Sequence, residues 1–274
     1  MSSQKKEKIG VGVITYNRFG LFRECIAGIP EVDVIVVVND GDPYPSTVYP
    51  SRVTKVIQHR TNLGVGRSKN DAMKSLLEAG CSHIFLSEDD VKIINPNICQ
   101  EYIRASKLSG IRHFNFAYHG YENKSSKGLP LPPRKIIEDE DGVSIGLHRH
   151  ILGAFQYFTE DVLRQCGLMD PMYKNMFEHI DHTFRIIQHG FHPPFWWFAD
   201  LLESYRFIDD LDPKHEQSTI RTPKISYKIQ MRLTDMYFAM KNGSFIMKVK
   251  DVGEQEVECN LASIKQKYAG KIII

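Results

Sequence analysis

Glu88, Asp89 and Asp90 come almost directly after an apolar, strand-like run, Ser82–Leu86, and they lead the residues of this chain that could do chemistry. An apolar run ending in clustered acids reads as a buried central strand that delivers them to its C-terminal edge. Open α/β sheets place their ligands at that edge. Residues two apart in an extended segment point the same way, so Glu88 and Asp90 can face one cleft while Asp89 points elsewhere. Oxygen ligands of this kind suit a hard divalent cation, which in turn suits a diphosphate. The plainer alternative is an acidic strand-end turn, with Asp90 capping the next segment.

Other polar residues stand where neighbouring strands would end. Ile9–Thr15 runs into Thr15-Tyr16-Asn17-Arg18, where amides and a hydroxyl can hold a base or ribose and Arg18 can meet phosphate. Asn17 is expected to cap the next helix. Asp40, after Val32–Val38, can accept a hydrogen bond from a nucleobase imide or close an Asx turn. Gly64 and Gly66 precede a helix and allow close backbone approach. Arg67 in its first turn runs against the helix dipole, and a residue that breaks a local rule often serves a site. The spacing is not that of a P-loop.

The elements that must position these groups alternate along the chain. Ile9–Thr15, Val32–Val38, Val53–Gln58, Ser82–Leu86, Arg112–Tyr118 and Phe195–Ala199 read as strands. Arg18–Ile29, Gly66–Ala79, Asn95–Ser109, Thr159–Cys166 and Met176–His189 read as helices. The unbroken β-branched run Val32–Val38 predicts a parallel strand covered on both faces. The alternation predicts a three-layer α/β domain. His119–Gly142 reads as an exposed insertion or loop pair and Ile208–Pro223 as a polar, turn-rich stretch. From about residue 224 the chain reads as an appendage with one helix over Leu233–Lys241, a hairpin and a short final helix.

A chain of 274 residues with a net charge of +2 can bury a large core and gives no electrostatic reason to bind nucleic acid or to anchor at a membrane. Cys25, Cys81, Cys99, Cys166 and Cys259 are odd in number and unpaired in spacing, which predicts free thiols in a reducing compartment. The start of the sequence has no apolar leader and no stretch is long enough to span a bilayer, so a cytoplasmic location is expected. Peripheral membrane contact and oligomeric state are left open.

Val13-Ile14-Thr15-Tyr16-Asn17-Arg18, Val37-Val38-Asn39-Asp40-Gly41, Asn62-Leu63-Gly64 with Arg67 and Asn70, and Glu88-Asp89-Asp90 resemble the ordered blocks of family-2 glycosyltransferases. Those blocks usually read T-Y-N-R, V-D-D-G-S, N-x-G-x-x-x-A-x-N and D-x-D. Asn39 stands where an acid is common, and Glu88 replaces the first Asp of D-x-D. The resemblance implies the GT-A fold: a three-layer α/β/α domain with a mostly parallel central sheet over residues 1–223, with a nucleotide-sugar half (1–118) and an acceptor half (143–223). Residues 224–274 would form the small C-terminal appendage. It implies that Thr15, Asp40 and Arg67, with Tyr16, Asn17, Arg18 and Asp89 beside them, hold the nucleotide of a nucleoside diphosphate sugar, usually a UDP-sugar. It implies that Asp90 binds Mn²⁺ or Mg²⁺ through the diphosphate, with Glu88 near ribose or metal. His215, in Asp212–Thr219, is the candidate for the late His that many such enzymes use as a further metal ligand; a solvated loop histidine is the alternative.

Later segments extend the resemblance. Gly153–Leu163 resembles the acceptor-side segment, Gly167-Leu168-Met169-Asp170 the G-L-F-D turn, and Phe177–Arg185 the block G-E-D-x-D-L-x-x-R. In inverting members an acid of that block is the general base that takes the acceptor hydroxyl proton. Here His179 stands at its place, so the candidates are Glu178, His179 and Asp181, and Asp181 reads equally as a helix partner of Arg185. Trp196 and Trp197 read as a sugar-stacking wall or as core. His148 and His150 read as acceptor-site lining or a polar strand end, and His182 as an exposed helix position.

The resulting expectation is a metal-dependent inverting hexosyltransferase acting on a glycan or lipid-linked acceptor in surface polysaccharide synthesis. The rivals are a metal-dependent hydrolase built on His148, His150, His179, Asp181 and His182, a sugar nucleotidyltransferase, and a sugar-binding relative without activity.

Overall fold

The computed structural model describes residues 7–138, 142–218 and 224–270. Its strands and helices are, in chain order, β1 (Ile9–Thr15), α1 (Phe19–Gly28), β2 (Val34–Asn39), β3 (Lys55–Gln58), α2 (Val65–Glu78), β4 (His83–Glu88), β5 (Val91–Ile93), α3 (Ile98–Ser109), β6 (His113–Asn115), β7 (Lys135–Glu138), β8 (Ser144–His148), β9 (Phe155–Thr159), α4 (Glu160–Cys166), α5 (Glu178–Gln188), β10 (Phe198–Leu201), β11 (Ile208–Asp210), α6 (Lys224–Asn242) and α7 (Glu254–Tyr268). The central sheet runs β3-β2-β1-β4-β9-β6. Pairs β2–β3, β1–β2 and β1–β4 are parallel, and β9 is inserted antiparallel to both β4 and β6. The expected mostly parallel central sheet of an α/β fold is therefore present.

Period-two alternation divides the core between the faces of this sheet. Val34, Val36 and Val38 of β2 join Ala72, Met73 and Leu76 of α2 and Val162 and Leu163 of α4 in one cluster. Ile35 and Val37 join Phe22 and Ile26 of α1 and Tyr102 and Ile103 of α3 in the other. β1 contributes Val11 and Val13 to the α1 side and two glycines to the α2 side. A Cβ on Gly12 would lie 2.7 Å from Ala72 Cβ, and one on Gly10 would lie 2.6 Å from Leu76 Cδ2. These glycines let α2 lie directly against the strand, which carries its N-terminus to the β1 and β4 edge.

Several sequence expectations need correction. His119–Gly142 is not wholly an exposed insertion: His119 and Asn123 are buried, and Asn123 Nδ2 donates to Ala117 O at 2.8 Å. The later part of that stretch forms β7, which pairs with β8 beside β10. Asn17 does not cap α1; the N-cap is Arg18, without a side-chain cap, and Asn17 Oδ1 accepts the Asp42 amide at 2.7 Å. Its left-handed φ of 52° is one that Asn tolerates. The C-terminal hairpin is replaced by a short 3-10 turn at Ile246–Lys248, and the final helix runs 15 residues. Residues 219–223, which include Thr219 and the expected domain boundary, lie outside the described residues, as do 139–141 of the acidic run.

The last segment is tied to the body by specific bonds. The indole N–H groups of Trp196 and Trp197 donate to Val249 O at 2.8 Å and Val252 O at 3.1 Å. Both rings are buried, with the guanidinium of Arg134 stacked 3.7 Å from the Trp197 ring centre. They anchor the C-terminal segment and offer no open sugar-stacking wall. Cys25, Cys81, Cys99 and Cys166 are free and buried, and Cys259 is free and exposed. Among the described residues, no helix is long and apolar enough to cross a membrane.

Gly12→Ala should lower stability by about 1–3 kcal/mol, the usual cost of overpacking, because the added methyl meets a Cβ fixed to a helix backbone. Urea unfolding reads this directly; an unchanged midpoint would mean that α2 does not rest on β1.

Candidate active site

β1, β2 and β4 all end at the same edge of the sheet, and each ends in polar residues. β4 lies inside the sheet between β1 and β9, so its acids emerge from a buried strand. Unpaired, they would be costly to ionise there. The structure gives Glu88 one cation, Lys69, and has Asp89 and Asp90 share another, Arg18.

Glu88 Oε1 lies 2.7 Å from Lys69 Nζ, and the same nitrogen lies 3.0 Å from Glu178 Oε1 and donates to Gly153 O at 2.9 Å. Lys69 is wholly buried on the inner face of α2. Burial opposes its charge, but Glu88 and Glu178 outweigh that and raise its pKa. Asp89 is buried, accepts the Thr15 hydroxyl at 2.7 Å and is ion-paired with the Arg18 guanidinium. Burial pushes its carboxyl up, against the pull of Arg18. Asp90 Oδ2 accepts Arg18 Nη1 at 2.8 Å, and its Oδ1 lies 3.5 Å from His119 Nε2. Burial opposes ionisation of Asp90 too, yet His119 and Arg18 hold it below the usual carboxylate range.

The nucleotide-side residues divide in the same way. Tyr16 and Glu88 line a cleft with Thr15, Arg18, Asp40 and Asn175. Thr15 is buried with its hydroxyl committed to Asp89 and in hydrogen-bond contact with Tyr44 at 3.0 Å. Asp40 accepts the amides of Leu63 and Gly64, each at 2.8 Å, and sits 2.7 Å from His59 Nδ1. It holds the glycine loop against β2. The Asx turn expected of Asp40 is made by its neighbour: Asn39 Oδ1 accepts the Gly41 amide at 3.0 Å. Arg67 is exposed on the first turn of α2.

On the acceptor side, Glu178 is buried at the start of α5, between Lys69 and His179 Nδ1 at 3.1 Å. Burial opposes its charge, but Lys69 and His179 hold it well below the usual carboxylate range. His179 is partly open to solvent. A Cβ on Gly153 would fall 2.8 Å from His179 Nδ1 and 2.9 Å from Lys69 Nζ, so only glycine fits between them. Phe177 takes the left-handed φ of 63° where the related block usually has glycine. Asn70 pins α2 to the Gly167–Asp170 turn by exchanging two bonds with Met169, at 2.8 and 2.9 Å.

Asp181 goes elsewhere. Its carboxylate is buried and taken by Lys241 of α6 at 2.8 Å and Arg185 at 3.4 Å, so it docks α6. His182 is fully buried rather than exposed, with Nε2 2.8 Å from Gly167 O. His148 is buried edge-on to Tyr118. These positions do not assemble the cluster a hydrolase would need, and among the described residues no three His, Cys, Asp or Glu form a ready metal cage.

His215 does come to the acids, through His119: their rings are 5.2 Å apart, and His119 also faces Asp210 at 3.7 Å. Asp90 Oδ1 and His119 Nε2 are both buried and both lack a hydrogen-bond partner. Sequence reasoning missed His119 and Lys69. The signal for Lys69 was a lysine at i, with Ala72, Met73 and Leu76 at i+3, i+4 and i+7 on the apolar face of α2. His119 comes after a short strand and had no comparable signal.

No protein-family model matches this sequence, and no curated protein sequence matches it. Solved structures do. The crystal structure of S. aureus TarS 1–349 aligns over 94% of this chain and 80% of its own, with a TM-score of 0.52 and 14% identity. The same protein in complex with UDP-GlcNAc aligns over 94% and 71%, with a TM-score of 0.51 and 14% identity. The chain shares their fold. GalNAc-T7 with UDP, GalNAc and Mn²⁺, at a TM-score of 0.48 and 9% identity over 96% and 55%, is too distant to bear on this chain.

Lys69→Met should cost about 3–5 kcal/mol, because it removes the ammonium between Glu88 and Glu178 and leaves buried Glu178 with His179 alone beside it. Adding Glu178→Gln should recover part of that loss. Chemical denaturation of the two variants measures both; equal stability of wild type and Lys69→Met would show that the ion pairs are not formed.

Proposed function

We propose that the chain is an inverting, metal-dependent glycosyltransferase that moves a sugar from a nucleoside diphosphate donor, a UDP-sugar, to a hydroxyl of a glycan or lipid-linked acceptor. The observation that carries this reading is the Glu88–Lys69–Glu178–His179 chain of contacts. It joins the acids of the donor-side strand to a histidine partly open to solvent. The fold shared with TarS, which has been crystallised with UDP-GlcNAc, supports a nucleoside diphosphate sugar as donor.

His179 is the proposed base. With Nδ1–H donating to Glu178, Nε2 keeps its lone pair. Lys69 keeps Glu178 ionised, and the ionised carboxylate orients the imidazole and stabilises it once protonated. The acceptor oxygen bonds to the anomeric carbon, the bond from that carbon to the diphosphate breaks, and the hydroxyl proton passes to Nε2. Glu178 itself is a poor base, since Lys69 and His179 hold it as a settled anion. Asp181, docked on Lys241, is proposed to be structural.

The residues present fit a divalent cation. Asp90 Oδ1 and His119 Nε2 are orphaned and face each other, and His215 lies against His119. Asp90 and His119 would hold the ion, with His215 beside them, while Glu88 stays with Lys69. Such an ion supplies positive charge to the departing diphosphate. Arg18, already on Asp89 and Asp90, sets the orientation of both carboxylates. Tyr16, Asn175 and the amides of the loop held by Asp40 form the walls against which base and ribose would rest.

UDP release from a panel of UDP-sugars with added Mn²⁺ tests this. One donor should turn over, His179→Ala should lower kcat by about 10²–10⁴-fold with UDP affinity nearly unchanged, and Asp90→Ala should abolish turnover in a folded protein. UDP binding without turnover of any donor would favour a non-catalytic sugar-nucleotide binder. Full activity of His179→Ala would remove the base assignment.

A further inference from the structure

α6 presents an apolar stripe that the other described residues leave exposed. Ile225, Ile229, Leu233, Met236 and Met240 are between 53% and 83% exposed. Their spacing of four, four, three and four places all five within about 80° of arc on a helix turning 100° per residue. Phe238, the fully buried residue of this helix, lies on the opposite side. The helix is held down by that side: Lys241 bonds to Asp170 and Asp181, each at 2.8 Å, and Tyr237 donates to Asp170 at 3.0 Å. The outward stripe has no part in these contacts.

Charge is segregated onto the same segment. Residues 224–250 contain six Lys or Arg and one Asp, a net +5, while the whole chain nets +2, leaving −3 for the remainder. The single acid, Asp235, is turned to accept the Ile246 amide at 3.0 Å. Lys228 and Arg232 are exposed along one edge of the stripe, and Met247 stands exposed in the next turn beside Lys248.

We propose that this face of α6 is a docking surface for an anionic lipid bilayer, with the stripe seated in the interface and the cations on the headgroups. An apolar stripe edged by Lys and Arg is the pattern of a helix lying in a membrane surface. Charge decides between a bilayer and a second copy of the chain. Two such faces brought together would set the cations beside the stripe, Lys228, Arg232 and Lys248, against their own copies, whereas an anionic leaflet complements them. The surface is distinct from the proposed active site and does not depend on the chemistry assigned there.

Flotation of the full chain with vesicles tests the inference, using phosphatidylcholine alone and an equimolar mixture with phosphatidylglycerol. The protein should float with the mixed vesicles and not with the neutral ones, and the bound fraction should fall as salt rises. Leu233→Ser/Met240→Ser should abolish flotation. Lys228→Glu/Arg232→Glu should lower partitioning by at least roughly 30-fold, on the scale of one surface contact per cation. All four side chains are exposed, so circular dichroism should show both variants folded. Absence of flotation with mixed vesicles, equal binding to neutral ones, or a dimer by analytical ultracentrifugation that Leu233→Ser/Met240→Ser dissolves would each overturn the inference.

Discussion

Three consecutive carboxylates at the mouth of a buried strand can be tolerated only if each finds a compensating charge or donor, and that constraint organises the site. Glu88 takes Lys69 from α2, Asp89 takes Arg18 and the Thr15 hydroxyl from the end of β1, and Asp90 shares Arg18. Neither cation is local to β4, so the sheet must place β1, α2 and β4 correctly for the acids to be buried with a partner. The glycines of β1 contribute by letting α2 lie close enough for Lys69 to reach. After this pairing one buried carboxylate oxygen, Asp90 Oδ1, is left with only a histidine in front of it. The proposed ion would complete this acid, whose other oxygen Arg18 already holds.

Lys69 also carries the arrangement across the molecule. A single ammonium between Glu88 and Glu178 fixes the start of α5 relative to the end of β4. A buried ion pair is weak support for net stability; here it sets the distance between Glu88 and Glu178, and geometry is what a displacement needs. Asp181 extends the same logic outward, since it ties α5 to Lys241 and so sets how α6 lies on the surface. The proposed reaction centre and the proposed lipid face thus share one helix, α5, as their common support.

The parallel strands and the helices over them are legible in the sequence because their patterns are strong: the Val-rich run of β2, the acids ending β4 and the apolar face of α2 leave little choice. The short β6 and the displaced β10 are less so, since neither has a repeat long enough to show a period. At the site, the acids are visible as residue types at a strand end, but their partners are not. Arg18 and Asp89 are 71 positions apart and Lys69 and Glu178 are 109 apart, distances over which no local pattern speaks. His119 reads as part of an exposed insertion because Lys, Ser, Gly and Pro dominate the residues after it, while the backbone beside it is fixed by Asp210 accepting the Gly120 amide at 2.7 Å. His182 misleads for a related reason: Asp181 and Thr183 beside it are polar, and its cover comes from Phe158 of β9 and the Gly167 carbonyl.

The most direct test of this account is a crystal of the protein soaked with uridine diphosphate and Mn²⁺, with data collected at the manganese absorption edge. The account predicts an anomalous peak beside Asp90 and His119, in contact with the diphosphate, and Lys69 still between Glu88 and Glu178. Nucleotide bound with no peak at those two side chains, or an ion held elsewhere, would contradict it.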